Sequence, residues 1–174
     1  MVVNTAANVH KNVICANCFI KKDGKYLVLR RSVQKKYAPG VVHPVGGKVN
    51  ANENALAAAI REVKEETGVD VHNIRLRAVL LELEPHIGEP YNWLIFHFMA
   101  DYLSGEVKDT EEGDLIWLTT EEFKKEKLFP SVKPIVNYMF DRKNGPVFAT
   151  FAYDDRKQII IKSSINACQA EHSD

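Results

Sequence analysis

The apolar positions of this 174-residue chain fall mostly into short alternating or continuous runs separated by turn residues. "VICANCFIKKDGKYLVLRR" contains two β-rich runs around Asp23-Gly24, which predicts a hairpin with a two-residue turn. "SVQKKYAPGVV" predicts a polar loop through Pro39-Gly40, and "HPVGGKVNANEN" a turn-rich segment. The spacing predicts a helix over 53–67, capped by Asn52 and closed by Gly68 at the C′ position. "NIRLRAVLLELEP" and "YNWLIFHFMADYL" predict strands, the second apolar on both faces as a central strand is. After the acidic loop "SGEVKDTEEGD", "LIWL" predicts a short strand, and Thr119 or Thr120 caps a helix to about Lys127. "FPSVKPIVNYMFDRKNG" predicts a last helix ending near Asn144-Gly145, and "PVFATFAYDDRKQIIIKS" a closing hairpin turning at Asp154-Asp155. There is no repeat, low-complexity tract or linker. The strands cluster, so the expected class is α+β, a mixed sheet between helices. The expected organisation is an N-terminal arm (1–12), a single domain (13–165) and a flexible tail (166–174).

Charge changes the picture by what it excludes. Lys+Arg and Asp+Glu balance at 23 each, so no global field draws in a long nucleic-acid footprint or an anionic membrane. A site for an anionic ligand has to be local, and metal ions are one way to build it. No run approaches the roughly 20 apolar residues of a membrane span. The start, "MVVNTAANVHKN", lacks the pattern of a signal peptide, so a cytoplasmic protein is expected. Cys15, Cys18 and Cys168 are too few for a disulfide framework. Cys15 and Cys18 form a C-x-x-C inside an apolar strand with no second pair, which predicts reduced strand cysteines.

The chemistry concentrates in "GGKVNANENALAAAIREVKEETGVDV". At about 100° per residue, Leu56, Ile60, Val63 and Thr67 form one stripe, expected to be buried. Glu62, Glu65 and Glu66 fall together on the other side, with Ala55, Ala58 and Ala59 continuing that face and leaving room for something bulky. Arg61 can neutralise Glu65 at i+4. A tight glycine turn just before the helix can aim a carbonyl at the same place as the carboxylates. Several hard oxygen ligands on one point suit Mg²⁺ or Mn²⁺.

Gly47, Glu53, Arg61-Glu62-Val63, Glu65-Glu66, Gly68 and Val69 match every position of the pattern G-x5-E-x7-R-E-U-x-E-E-x-G-U, where U is aliphatic. In this the chain resembles the Nudix hydrolases, and the order of flanking elements is similar to a Nudix domain of the MutT type. The resemblance implies an α/β/α sandwich and metal-dependent hydrolysis of a nucleoside diphosphate linked to some other group. It implies Glu62, Glu65 and Glu66 as ligands of Mg²⁺ or Mn²⁺, joined by the Gly46 carbonyl. Arg61 would orient a glutamate by an ion pair, Glu53 would support the helix and loop, and Glu65 or Glu66 would accept the proton of the attacking water.

Outside that motif, Glu112, with Glu111 as runner-up, is the expected outlying metal ligand or base. Lys48 and one of Arg30 and Arg31 are expected at the phosphates, Arg30 being the first choice. Tyr37, Tyr91, Asn92, Trp93, Phe129 and Asn137 are the candidates for the base. Trp117 is expected in the core, and His43, His86 and His97 in structural roles. The segment after "IWL" resembles the branch that converts nucleoside triphosphates to monophosphate and pyrophosphate. Where the MutT type has an asparagine that reads guanine, this chain has Ser131, Val132 and Lys133, a departure that leaves the base open. NDP-sugar or ADP-ribose pyrophosphatase and RNA 5′-pyrophosphohydrolase are the alternatives, and a non-catalytic nucleotide-binding module is the non-enzymatic one. The expected partner is a small nucleotide, and the expected state a monomer or a homodimer.

Overall fold

The computed structural model describes residues 11–85, 91–108, 110–141, 145–154, 159–161 and 166–167. The chain runs β1 (Asn12–Lys22), β2 (Lys25–Arg31), β3 (Val42–His43), β4 (Val45–Lys48), α1 (Ala55–Thr67), β5 (Asp70–Leu83), β6 (Asn92–Ser104) and β7 (Gly113–Leu118). Then follow α2 (Thr120–Lys125), α3 (Val136–Phe140), β8 (Val147–Tyr153), β9 (Ile159–Ile161) and β10 (Asn166–Ala167). The predicted hairpin is present, with Lys22 opposite Lys25 and positive φ at Asp23 and Gly24, the geometry of a primed turn.

These strands form a mixed sheet in the order β10-β8-β5-β6-β1-β2-β3, with β4 on β1, β7 on β2 and β9 on β8. β6 is central, parallel to β1 and antiparallel to β5, which explains its apolar character on both faces. Alternation along the strands builds two cores. Ala16, Cys18, Ile20, Leu27, Val45 and Phe98 meet α1 on one face. Phe19, Val28, Leu80, Phe151 and the residues of α2 and α3 fill the other. Phe19 stands edge-on to Phe123 and Phe140 at 5.3 and 5.1 Å, tying that face to both short helices. The result is the helix–sheet–helix sandwich expected from the sequence.

Several local expectations are corrected. The cap of α1 is Asn54, whose side chain accepts from Ala57 N–H, so the helix begins at Ala55 and not at Glu53. Leu56 and Ile60 do not lie in the buried stripe and are 44% and 45% exposed. The packed face is Ala58, Ala59, Val63 and Thr67. α1 lies so close to β1 and β4 that only small side chains fit, so the alanines are contact residues and leave no room for a bulky ligand. The segment "HPVGGK", expected as turns, forms β3 and β4 instead. The last helix shrinks to Val136–Phe140 because the chain before it makes i→i+3 turns from Phe129 and Val132, and Pro134 removes a helical donor. Strand pairing starts at Asn12, inside the expected arm, and resumes at Asn166-Ala167 on β8, inside the expected tail. The rest of the arm and tail, with His86, Asn144, Asp155 and Cys168, lies outside the described residues. No helix among the described residues is long and apolar enough to cross a membrane.

The glycine pair is explained by β4. Gly46 has φ +152°, and a Cβ there would press on the Ala16 carbonyl and stand 2.6 Å from Asn17 Cα. A Cβ on Gly47 would lie 2.6 Å from the Glu62 carboxylate. Gly46 thus lets β4 lie against β1, and Gly47 lets the Glu62 carboxylate approach the strand backbone. Gly46→Ala combines a strained φ with an overlap, and we expect it to cost about 3 kcal/mol or more. Urea unfolding reads this directly, and an unchanged midpoint would contradict the packing described here.

Candidate active site

Arg61 organises the helix side of the site. Its Nη2 and Nε donate to the two oxygens of Glu53 at 2.7 and 3.1 Å, and Nη2 also reaches the Lys48 carbonyl at 3.1 Å. Nη1 donates to Glu62 at 2.8 Å and to Glu65 at 2.9 Å. Glu53 in turn accepts from Asn50 N–H at 2.8 Å. These bonds with Arg61 and Asn50 hold the Glu53 carboxyl below its ordinary range. The Glu62 and Glu53 side chains are only 14% and 15% exposed, so this network is partly screened from water. Glu65 differs, with its side chain 59% exposed. Glu66 accepts from Gly46 N–H at 3.2 Å. Burial pushes its carboxyl up to about 7, the charges of Glu62 and Glu112 push the same way, and the Gly46 N–H and Arg31 pull against them.

Glu62 and Glu66 therefore do not form a solvated face opposite the packed one. They line its edge, against the glycine pair. Among the described residues no group of three or more His, Cys, Asp or Glu side chains stands ready to hold a metal ion. Glu62 and Glu65 are both turned to Arg61, their nearest cation. The donor set nevertheless suits a hard divalent ion: Glu62, Glu65 and Glu66 bring only oxygens, and the half-buried Glu66 has a raised pKa that a cation would relieve.

A cavity of about 270 Å³ opens on the other face of the sheet. Its walls come from β1 (Cys15, Asn17), β5 (Glu82), β6 (Trp93, Ile95, His97) and the α2–α3 connection (Phe129, Ser131, Val132), with Arg31 and Tyr37 beside them. Gly46, Gly47 and Lys48 close its end. The glycine pair thus belongs both to the cavity and to the carboxylate cluster. Tyr37 and Phe129 are stacked, their ring centroids 6.0 Å apart at 28°.

Of the sequence candidates, Lys48, Tyr37, Trp93 and Phe129 line this cavity. Arg30 does not: it pairs with Glu126 at 2.8 Å, and its neighbour Arg31 lines the cavity, as strand alternation requires of one of the two. Asn137 is exposed on α3, away from the cavity lining, because that helix is shorter and placed differently than expected. Tyr91 and Asn92 are also outside the lining, Asn92 accepting from Glu84 N–H. Glu112 is bound by Lys35 at 2.9 Å, which lowers its pKa, and its charge is felt at Glu66 and His43. Glu111 is exposed. Trp117 packs against the core, as expected.

Glu82, Tyr153, Asn17 and Ser131 escaped sequence reasoning. A signal for Glu82 exists, since it shares a strand face with Leu80 in "LLELEP" and so had to point inward. Cys15 and Cys18 are free, and burial pushes them up to about 11 and about 12. Their spacing of three on a strand puts them on opposite faces, with Cys15 on the cavity and Cys18 in the α1 core, so they cannot act as a pair.

A model of the NUDIX domain matches residues 10–139. A Bacillus subtilis (strain 168) protein, described as the uncharacterized Nudix hydrolase YvcI, is 30% identical over 148 residues, which cover 83% of this chain and 89% of that protein. The NAD-capped RNA hydrolase NudC of Pseudomonas aeruginosa (strain LESB58) is 30% identical over 125 residues, 68% of this chain but 39% of that longer protein. The crystal structure of a MutT mutator protein from Bacillus halodurans shares the fold, with a TM-score of 0.72 at 23% identity, covering 90% of this chain and 97% of that one.

His43 and His97 give the cavity a pH signature. Burial lowers each from the ordinary 6.5 to about 4, with Arg31 adding to the effect at His43 and His43 adding to it at His97. The unfolded chain takes up these protons as pH falls below 6.5, and the folded chain takes them up only near 4. Their contribution to stability is therefore complete above pH 6.5 and lost as pH falls through that window. It amounts to on the order of 3 kcal/mol each. Urea midpoints should fall from pH 7.5 to 4.5, the two rings outweighing the opposite change from the raised Glu66, and fall more steeply in Glu66→Gln; a flat profile in that variant would contradict the burial of both rings.

Proposed function

Because the chain belongs to the NUDIX family, we propose that it is a pyrophosphohydrolase that converts a nucleoside triphosphate to the monophosphate and pyrophosphate with Mg²⁺ or Mn²⁺. The observation that carries this reading is the shared end wall. Gly46, Gly47 and Lys48 close a cavity of nucleoside size, and the same segment holds Glu66, Glu62 and Arg61 through backbone contacts. A nucleoside seated in the cavity would direct its phosphates toward the carboxylates of α1. Tyr37, Phe129 and Trp93 offer aromatic surface to the base, and Lys48 and Arg31 offer cations to the phosphate chain.

Glu62, Glu65 and Glu66 would hold the ions, with the Gly46 carbonyl and Glu112 as further ligands. Bound there, divalent ions supply charge neutralisation of the diphosphate and an activated water. The chain's own residues do the rest. Arg61 keeps Glu62 and Glu65 beside the glycine pair of β4, and Glu53 locks that guanidinium from the loop side. Glu65 or Glu66 accepts the proton of the attacking water.

Incubation with Mg²⁺ and a panel of nucleoside triphosphates, oxidised nucleoside triphosphates, ADP-ribose, NDP-sugars and 5′-triphosphorylated RNA tests the reading. Release of monophosphate and pyrophosphate from a triphosphate is the expected outcome. Glu65→Gln and Glu66→Gln should each lower kcat at least about 100-fold with the fold intact. Wild-type turnover in both variants would contradict the mechanism. Arg61→Lys, which cannot serve Glu53, Glu62 and Glu65 in one plane, should cost about tenfold or more in kcat/KM.

A further inference from the structure

Glu82 is a charged side chain with no place in the hydrolytic chemistry. It is 7% exposed, sits on β5 and lines the cavity beside Trp93. Its Oε2 accepts from the Tyr153 hydroxyl at 2.8 Å, and Ser131 is hydrogen-bonded to that same tyrosine. A buried carboxylate with, among the described residues, one neutral hydroxyl bonded to it is costly unless something else satisfies it. The α1 network does not: the guanidinium of Arg61 is committed to Glu53, Glu62 and Glu65. His97 completes the pattern. It is 2% exposed, lines the same cavity and has neither ring nitrogen hydrogen-bonded among the described residues. A neutral imidazole brings one N–H donor and one acceptor.

The cavity thus presents a carboxylate acceptor beside Trp93 and, four positions further along β6, an imidazole. The pairing edges of the bases answer this differently. A guanine-type edge carries two adjacent N–H donors, N1–H and the 2-amino group, next to the O6 acceptor. Adenine and cytosine place a ring nitrogen lone pair beside their amino group, which a carboxylate repels. Uracil and thymine flank their N–H with two carbonyls. We propose that Glu82, held by Tyr153, is the base-reading residue of this site and selects a guanine-type base through its N1–H and 2-amino donors. This rests on the nucleotide reading above and deepens it. It places base selection on β5, across Tyr153 from Ser131, which opens the Ser131-Val132-Lys133 segment. Tyr153 acts through Glu82 as a positioning residue, and Glu82 itself touches the base.

The test uses equilibrium binding of GMP, AMP, CMP and UMP to the full chain by calorimetry, so that it does not depend on turnover. Wild type should bind GMP about tenfold or more tighter than UMP. Glu82→Gln presents an amide N–H₂ where the guanine edge needs an acceptor, and should erase that preference, with GMP affinity falling relative to UMP by about tenfold or more. Tyr153→Phe should weaken the preference by a smaller factor, and it carries the test if Glu82→Gln does not fold. Preference for GMP that survives in Glu82→Gln, wild-type selectivity for AMP, CMP or UMP, or an equal loss for all four ligands would each overturn the assignment. Selective GMP binding lost in Glu82→Gln, in a protein that cleaves no triphosphate with Mg²⁺, would support the assignment and overturn the hydrolytic reading instead.

Discussion

The guanidinium of Arg61 is the constraint on which the site depends. One planar group bonds both oxygens of Glu53, one oxygen each of Glu62 and Glu65, and the carbonyl of Lys48. It joins the loop that leaves β4 to the second turn of α1. Like charges at i+3 and i+4 on a helix repel, and the mostly screened pair of Glu53 and Glu62 would be costly without a partner. A lysine could neutralise this charge but could not bond in several directions in one plane. The ion pairs with Glu53, Glu62 and Glu65 thus concentrate acidic oxygens beside a strand backbone without unfolding the helix that carries them.

The second requirement is closeness. α1 rests on β1 and β4 through Ala58, Ala59 and Val63, all nearly free of solvent contact. Gly47 removes a side chain that would otherwise stand between strand and helix, and Gly46 one that would press on β1. Glu66 is half-buried and bonded to the Gly46 N–H, and Glu62 rests against Gly47. Because β4 pairs with β1, the same strand backbone also ends the cavity on the opposite face of the sheet. Phosphate chemistry and nucleoside binding are coupled by a few residues of one short strand.

How far the sequence discloses this follows from the range of the forces involved. The hairpin at Asp23-Gly24, the Thr119 capping box, the C′ position of Gly68 and the Arg61–Glu65 pair are local, set within a few residues, and all are present. The helix stripe was misread because periodicity reports hydrophobicity and not distance: Leu56 and Ile60 are apolar, yet the narrow gap to the sheet admits alanine. β3 and β4 hid in a turn-like, glycine-rich segment whose partners lie elsewhere in the chain, β3 against Leu29 and Arg30 and β4 against Ala16 and Asn17, some 30 residues earlier. The cavity is less legible still, since β1, β5, β6 and the α2–α3 connection each contribute one or a few side chains. Alternation with Leu80 turns Glu82 inward, but its meeting with Tyr153, and Arg31 in place of Arg30, follow from register and crossover, which no local pattern encodes.

On this reading Glu62 and Glu65 leave Arg61, wholly or in part, and join Glu66 to take divalent cations beside Gly46 and Gly47 of β4. Anomalous diffraction from crystals grown with Mn²⁺ and a non-hydrolysable nucleoside triphosphate tests it most directly. The account predicts manganese peaks bounded by Glu62, Glu65, Glu66 and the Gly46 carbonyl, with the phosphate chain alongside. Peaks elsewhere, with Glu62 and Glu65 still on Arg61 and Glu66 still on the Gly46 N–H, would contradict it.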